Sequence, residues 1–138
     1  MINSSNPNRV VRICRPAFQD FHLFLPRYRS RSELIRQLLK LRWWNPSDPC
    51  VIDLEWNQIP QTDLFELAIE PGFGIAIGLR IVFFEYSPCE SEPPCIWVLG
   101  GMRQSEKLDD LRTSIYLGRS AIVRERATNL GENNDTQT

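Results

Sequence analysis

The pattern of apolar and polar positions predicts two β-strands joined by a loop in the second half of the chain. Residues 78–86 and 95–100 are rich in β-branched and aromatic side chains. The segment between them, Ser-Pro-Cys-Glu-Ser-Glu-Pro-Pro, favours neither helix nor strand. We therefore expect an antiparallel pair of strands, with Gly100 and Gly101 ending the second one.

Two further strands are predicted from shorter patterns. Residues 10–14 form a brief β-type run, and residues 63–70 alternate apolar and polar positions, which is typical of a half-buried strand. Residues 50–63 show no period, so we expect them to be irregular.

Helical spacing predicts two helices before the central strands. Over residues 16–25, Pro16 suits the first helical position and Pro26 ends the helix. Ser30 and Glu33 have the spacing of a capping box, which predicts the start of a second helix. That helix carries an apolar stripe of Leu34, Ile35, Leu38, Leu39 and Leu41.

A third helix is predicted to begin at Asp109 and Asp110, because carboxylates suit the positive end of a helix dipole. Its inward face is expected to hold Leu111, Ile115, Ala121 and Ile122. Its arginines are expected in solvent, namely Arg112, Arg119, Arg124 and Arg126.

The pair Trp43 and Trp44 follows the second helix. We expect it to cover the core, the alternative being a platform on which nucleic-acid bases stack. The single histidine, His22, is interpreted as a packed or half-exposed helix residue.

The predicted order is β-α-α-β-β-β-α, which indicates a small α+β domain. We expect a helical hairpin, a mostly antiparallel four-stranded sheet and a C-terminal helix. Residues 1–9 are predicted to be a flexible N-terminus, residues 10–127 the domain and residues 128–138 a disordered tail. One core should contain Leu34, Leu38, Phe65, Leu67, Ile81, Phe83, Ile96 and Val98.

Composition limits the class of protein. The chain has 138 residues, of which 42% are hydrophobic and 24% charged, as expected for one globular domain. No apolar run approaches the roughly 18 residues that span a bilayer, and the N-terminus lacks a signal-peptide pattern. We therefore expect a cytoplasmic protein without membrane contact.

The charge is unevenly distributed. Residues 1–50 carry nine Lys and Arg against three Asp and Glu, residues 51–100 carry one against eight, and residues 101–138 carry six against six. Contact with nucleic acid would therefore use the first third and the segment after Gly101. The alternative is that these charges are solvated helix faces without a partner.

The cysteines do not predict a metal site. Cys14, Cys50, Cys89 and Cys95 include no C-x-x-C pair, so we expect no zinc and no other cofactor. Cys89 and Cys95 flank the predicted hairpin loop and are close enough in sequence to approach one another. In a reducing cytosol we expect free thiols.

Three cations are candidates for a shared site. Arg80 lies near the start of one central strand, and Arg103 and Lys107 follow the end of the other. Antiparallel pairing brings these ends together, so the sequence predicts a cationic cluster suited to a phosphate. The alternative is that Arg80 and Arg103 pair with surface acids such as Glu66 or Glu85.

Two motifs and the order of elements resemble the RelE/ParE superfamily of toxins from bacterial type II toxin–antitoxin systems. Residues 78–84, Gly-Leu-Arg-Ile-Val-Phe-Phe, are similar to the family's Gly-x-Arg-hydrophobic strand. Residues 98–107 are similar to its basic segment after the last strand, with matches at Arg103, Ser105 and Lys107. The resemblance covers about residues 10–127.

The resemblance implies an mRNA endoribonuclease that acts at the ribosome and is held by a cognate antitoxin. In that activity the RNA 2′-OH attacks the adjacent phosphate. Arg80 and Arg103 would neutralise the phosphate, and Lys107 would contact it or act as a general acid or base. RNA contacts would come from Arg31, Arg36, Lys40 and Ser105. The alternatives are a ParE-like toxin that inhibits gyrase by contact and a degenerate member that only binds another protein.

Overall fold

A computed structural model describes the backbone of residues 9–87 and 94–137, and the side chains of residues 9–87 and 94–127. Its elements are β1 (Val10–Ile13), α1 (Arg15–Phe24), α2 (Tyr28–Leu38), a 3₁₀ helix (Leu39–Trp43), β2 (Trp56–Gln58), β3 (Phe65–Ile69), β4 (Leu79–Tyr86), β5 (Cys95–Arg103) and α3 (Asp110–Gln137).

The strands form one five-stranded mixed sheet in the order β1-β5-β4-β3-β2. β1 is parallel to β5, and the other neighbours are antiparallel. The predicted α+β class and the meander of β3, β4 and β5 are confirmed. The predicted number of strands was wrong, because β2 lies within residues 50–63. Its three residues are too short to show a period, and pairing with β3 creates the strand.

The prediction that Gly100 and Gly101 end the last strand was also wrong. β5 continues to Arg103, and both glycines pair with β4, opposite Val82 and Ile81. The register shifts by one residue just before them, between Val82 and Phe83. The backbone can remain extended here because β4 supplies a continuous neighbour on one side.

Both faces of β4 are buried, which places the sheet between two layers. Phe83 faces Trp44, with ring centroids 5.2 Å apart, on the side of the 3₁₀ helix. Phe84 faces α3, where the Arg124 guanidinium lies 4.8 Å from its ring centroid. Seven of the eight predicted core residues are buried, and the eighth, Phe65, is half-buried. The predicted core is therefore confirmed.

Trp44 is the centre of an aromatic cluster. It is 1% exposed and makes edge-to-face contacts with Trp56, Phe65 and Phe83 at centroid distances of 5.3, 4.8 and 5.2 Å. The predicted role in covering the core is confirmed for Trp44, and burial removes its ring from any stacking with bases.

The predicted capping box at the start of α2 was wrong. The helix begins at Tyr28, and its N-cap, Arg27, makes no side-chain capping bond. Ser30 lies inside the helix, and its hydroxyl donates instead to the Gly74 carbonyl at 2.6 Å. The Glu33 carboxylate accepts hydrogen bonds from Arg36 and Gln37. These residues lie three and four positions further along the helix, the spacings at which helical side chains meet. The Ser30 side chain therefore connects α2 to the 72–75 turn and does not cap the helix.

The cap of α3 was predicted correctly, but its orientation was not. The backbone N–H of Arg112 donates to the Asp109 carboxylate at 2.9 Å. The buried face holds Tyr116, Ser120 and Val123. The residues expected inside are exposed, including Leu111 at 73%, Ile115 at 48% and Ile122 at 51%.

Arginine contacts explain this orientation of α3. The side chains of Arg112, Arg119 and Arg124 turn towards the sheet and pair with Glu106, Asp20 and Asp63. Each guanidinium pairs with a carboxylate outside α3, and the pattern of apolar positions along the sequence does not show such pairs. The prediction that these arginines stay in solvent was therefore wrong.

α3 continues to Gln137, into the segment for which the sequence predicts disorder. Within the described part of the chain, no helix combines the length and apolar character needed to cross a membrane. Of the predicted flexible N-terminus, residues 1–9, the first eight lie outside the described residues, as does the loop residue Cys89. Cys14, Cys50 and Cys95 are free thiols.

Trp44→Ala is expected to destabilise the domain by about 3–5 kcal/mol, because it leaves a cavity among three other aromatic rings. Urea unfolding followed by circular dichroism measures this change. Leu23→Ala is the control, since Leu23 is 76% exposed, and it should change stability by less than about 0.5 kcal/mol. A similar small change for Trp44→Ala would contradict the cluster's role.

Candidate functional site

The second half of β5 has no strand on its outer edge. β1 ends at Ile13, opposite Val98, and the chain turns there into α1. Side chains satisfy the exposed backbone groups beyond that point. Arg119 donates to the Leu99 carbonyl at 2.9 Å, and the Gly101 N–H donates to the Asp20 carboxylate at 3.2 Å. These contacts replace the missing strand.

An ion pair between Asp20 and Arg119 connects α1 to α3 across this edge. The nearest nitrogen and oxygen are 2.7 Å apart, and both side chains are about one-fifth exposed, at 18% and 21%. Burial is the largest single influence on the pKa of Arg119 and would lower it, but the hydrogen bond to Asp20 and the nearby negative charge together outweigh burial, and the pKa is raised. The hydrogen-bonded ion pair holds its two side chains in place.

Gly100 makes room for this pair. A Cβ at position 100 would lie 2.6 Å from the Asp20 carboxylate and 2.7 Å from the Tyr116 ring, and it would also meet Arg119. Only a residue without a side chain allows α1 and α3 to approach β5 so closely.

A cleft of about 180 Å³ opens beside the pair, between α1, the end of β5 and the first half of α3. It is lined by Asp20, Phe24, Gly101, Met102, Glu106, Arg112, Ile115, Tyr116 and Arg119. In volume it accommodates a side chain or a few waters and not a nucleotide.

The charges of the cleft neutralise one another. Arg112 donates to the Glu106 carboxylate at 2.6 Å, and this hydrogen bond raises the Arg112 pKa. Asp20 and Arg119 form the other pair. With two carboxylates and two guanidiniums in contact, the cleft has no excess positive charge for a phosphate.

Tyr116 is the one phenol in the cleft. Its hydroxyl donates to the Gly101 carbonyl at 3.4 Å, and burial raises its pKa above the ordinary value of 10.0. A phenol with a raised pKa is protonated at neutral pH. It can donate a hydrogen bond, but it cannot accept the proton of a 2′-OH as a general base.

The three cations predicted to converge do not share one surface. In the pairing of β4 with β5, Arg80 lies opposite Met102, and Arg103 lies opposite Leu79. Residues opposite one another share a face and neighbours along a strand do not, so Arg80 and Arg103 lie on opposite faces of the sheet. A β-strand turns each successive side chain to the other face, and the sequence prediction placed Arg103 beyond the strand. The prediction that these two residues share a face was therefore wrong.

Each of these cations has its own surroundings. Arg80 lies 3.8 Å from the Glu66 carboxylate, the acid that the alternative interpretation named. The Arg103 guanidinium is exposed, lies 5.9 Å from the centroid of the Phe24 ring and is not among the residues that line the cleft. Lys107 is exposed between β5 and α3.

The residues predicted to contact RNA make mainly intramolecular contacts. Arg31 donates to the carbonyls of Leu25 and Pro26, both at 2.8 Å, where α1 ends. Arg36 binds Glu33, and hydrogen bonding from Arg36 and Gln37 lowers the pKa of Glu33 to about 2. Lys40 binds Asp53 at 3.0 Å, and Ser105 is exposed. Their role with RNA remains a prediction.

Asp20, Tyr116 and Arg119 were not among the candidate residues from sequence. Asp20 and Arg119 are 99 positions apart, and neither belongs to a local motif. The only signal was the pair Gly100-Gly101 inside an apolar run, which indicates close approach by another element. Among the described side chains, no group of three or more His, Cys, Asp or Glu lies together as a metal site requires.

Comparison with protein-family models, with curated proteins and with solved structures finds no significant match to this chain.

Gly100→Ala is expected to separate Asp20 from Arg119 and to destabilise the domain by about 1.5–3 kcal/mol, the value of a charged hydrogen bond. Urea unfolding measures this effect. Asp20→Asn should cost a similar amount, and the double variant should cost less than the sum, because both changes remove the same interaction. Strict additivity would show that the glycine and the ion pair are independent.

Tyr116→Phe is expected to reduce the loss of stability at high pH. The folded pKa of Tyr116 lies above its ordinary value, so its contribution is complete below about pH 10 and falls as pH rises through the folded pKa. Unfolding of wild type and variant at pH values near 7 and near 11 tests this. Tyr28→Phe is the matched control, because Tyr28 is 78% exposed. An equal effect of both variants would contradict the prediction.

Proposed function

We propose that this protein is the toxin component of a type II toxin–antitoxin system of the RelE/ParE kind, and that it acts by contact with a partner protein. The order of elements supports the first part, since a strand, a helical hairpin, a three-strand meander and a C-terminal helix are all present. The chemistry of the cleft supports the second part.

The observation that carries the proposal is the mutual neutralisation of Asp20, Glu106, Arg112 and Arg119. RNA cleavage by 2′-OH attack needs a base for the hydroxyl proton and positive charge for the phosphate. Among the described side chains that line the cleft, both guanidiniums are paired with carboxylates, and the phenol has a raised pKa. A toxin that works by contact needs neither group. In the family that the chain resembles, the contact target of ParE-like members is DNA gyrase.

α3 supplies an apolar surface for such a contact. Leu111, Ile115 and Ile122 follow one another at spacings of four and seven residues, outside the buried face of Tyr116, Ser120 and Val123, and Ile115 also lines the cleft. All three are about half exposed or more. Exposed apolar residues aligned on a helix are suited to a groove or another helix of a partner protein.

Induced expression in bacteria, followed by colony counts, tests the proposal. Wild type should reduce colony number, and the double variant Leu111→Asp/Ile122→Asp should restore growth at least about tenfold, because two interface residues become charged. Leu23→Asp is the matched control, as an exposed leucine on α1. Arg80→Ala/Arg103→Ala should remain toxic.

Two outcomes would contradict the proposal. Loss of toxicity in folded Arg80→Ala/Arg103→Ala, with wild type cutting mRNA in a translation extract, would identify an endoribonuclease. Normal growth with wild type expressed, and no complex with the product of the adjacent reading frame, would remove the toxin assignment. Co-purification with that product would support an antitoxin partner.

A further inference from the structure

Phe73 occupies a backbone conformation that aromatic residues rarely adopt. It lies at the tip of a tight turn in which the Gly72 and Ile75 backbones exchange hydrogen bonds of 2.8 and 3.0 Å. The two central residues, Phe73 and Gly74, have φ values of 54° and 95°. This is the geometry of a type I′ turn, whose first central position favours Asn, Asp or Gly because a side chain is strained there.

The strain at Phe73 is not offset by burial. Its side chain is 83% exposed, so the ring contributes almost nothing to the core. An asparagine or glycine would form the same turn with less strain and no exposed ring. Backbone strain at a residue whose side chain does not stabilise the fold indicates that the side chain has a function.

The turn packs against the first residues of α2. The Ser30 hydroxyl donates to the Gly74 carbonyl at 2.6 Å, and a Cβ on Gly74 would lie 4.0 Å from the Arg29 side chain. The turn that carries Phe73 therefore lies against the first turn of α2, which also carries Tyr28, a residue 78% exposed. Both rings are on elements fixed by hydrogen bonds.

Uncompensated positive charge accompanies these rings. The side chains of Arg27 and Arg29 are exposed, and neither has a hydrogen-bond or ion-pair partner among the described residues. The acids nearest in sequence are engaged elsewhere, Glu33 with Arg36 and Glu70 with Gln104. We call Arg27, Tyr28, Arg29 and Phe73 the aromatic–arginine surface.

We propose that the aromatic–arginine surface binds single-stranded nucleic acid. Exposed rings stack on unpaired bases, and guanidinium groups bind the phosphates between them. A ring on a protruding turn reaches the face of a base only where that face is free, which excludes a stacked duplex. An acidic protein segment would use the arginines, but it would leave both ring faces without a planar partner. This proposal goes beyond the contact function of α3, and it does not depend on that function.

The test uses the full chain and fluorescence anisotropy with labelled twelve-residue oligouridylate. Phe73→Gly should weaken binding about five- to a hundredfold, the range for loss of one stacked base. The same change should raise the melting temperature by a few degrees, about 2–6 °C, because it removes backbone strain. Weaker binding by a more stable protein cannot result from misfolding.

Two further variants and two controls complete the experiment. Tyr28→Ala should weaken binding to a similar degree, and Arg27→Gln/Arg29→Gln should weaken it and reduce its dependence on salt. Leu117→Ala and Arg126→Gln change an exposed apolar residue and an exposed arginine of α3. They should leave the affinity unchanged.

Three results would overturn the proposal. The first is equal affinity for an RNA duplex of the same length, and the second is unchanged affinity in Phe73→Gly. The third is tighter binding of a polyglutamate peptide than of oligouridylate, which would assign the surface to an acidic protein. None of these results bears on toxicity through α3, so failure here is distinguishable from failure of the contact function.

Discussion

The ion pair of Asp20 and Arg119 is the interaction on which the arrangement around β5 depends. It connects the first helix to the last and satisfies backbone groups on a strand edge that has no neighbouring strand. The ion pair requires glycine at position 100, because a Cβ there would overlap the side chains of Asp20 and Arg119. Burying a pair in this way is stabilising only when hydrogen bonds satisfy its remaining atoms, and the β5 backbone provides them.

The same constraint determines what the cleft can do. Because arginines of α3 face inward to reach carboxylates, the positive charge of this region is used within the fold. The apolar residues of α3 are consequently turned outward, where they are exposed to solvent. The structure thus combines a cleft whose charges are paired with an apolar helix surface, and the proposed contact function uses the second of these.

A second cost to stability appears at Phe73, where strain and exposure occur together. Natural sequences depart from local backbone preferences mainly at functional sites, where residues needed for function lower the stability of the fold. The outward face of α3 and the aromatic–arginine surface lie on opposite layers of the sheet. The two surfaces are therefore able to act separately.

The sequence by itself determined the α+β class, the core residues, the meander and the Asp109 cap, because these depend on local periodicity and capping chemistry. Only the tertiary structure decided the rest. β2 exists through its pairing with β3, and the Ser30 side chain contacts the 72–75 turn and does not cap α2. The inward face of α3 and the cleft were decided by ion pairs between residues far apart in the chain, such as Asp20 and Arg119. Such pairs leave no period in the sequence, since their partners meet only after the sheet has formed.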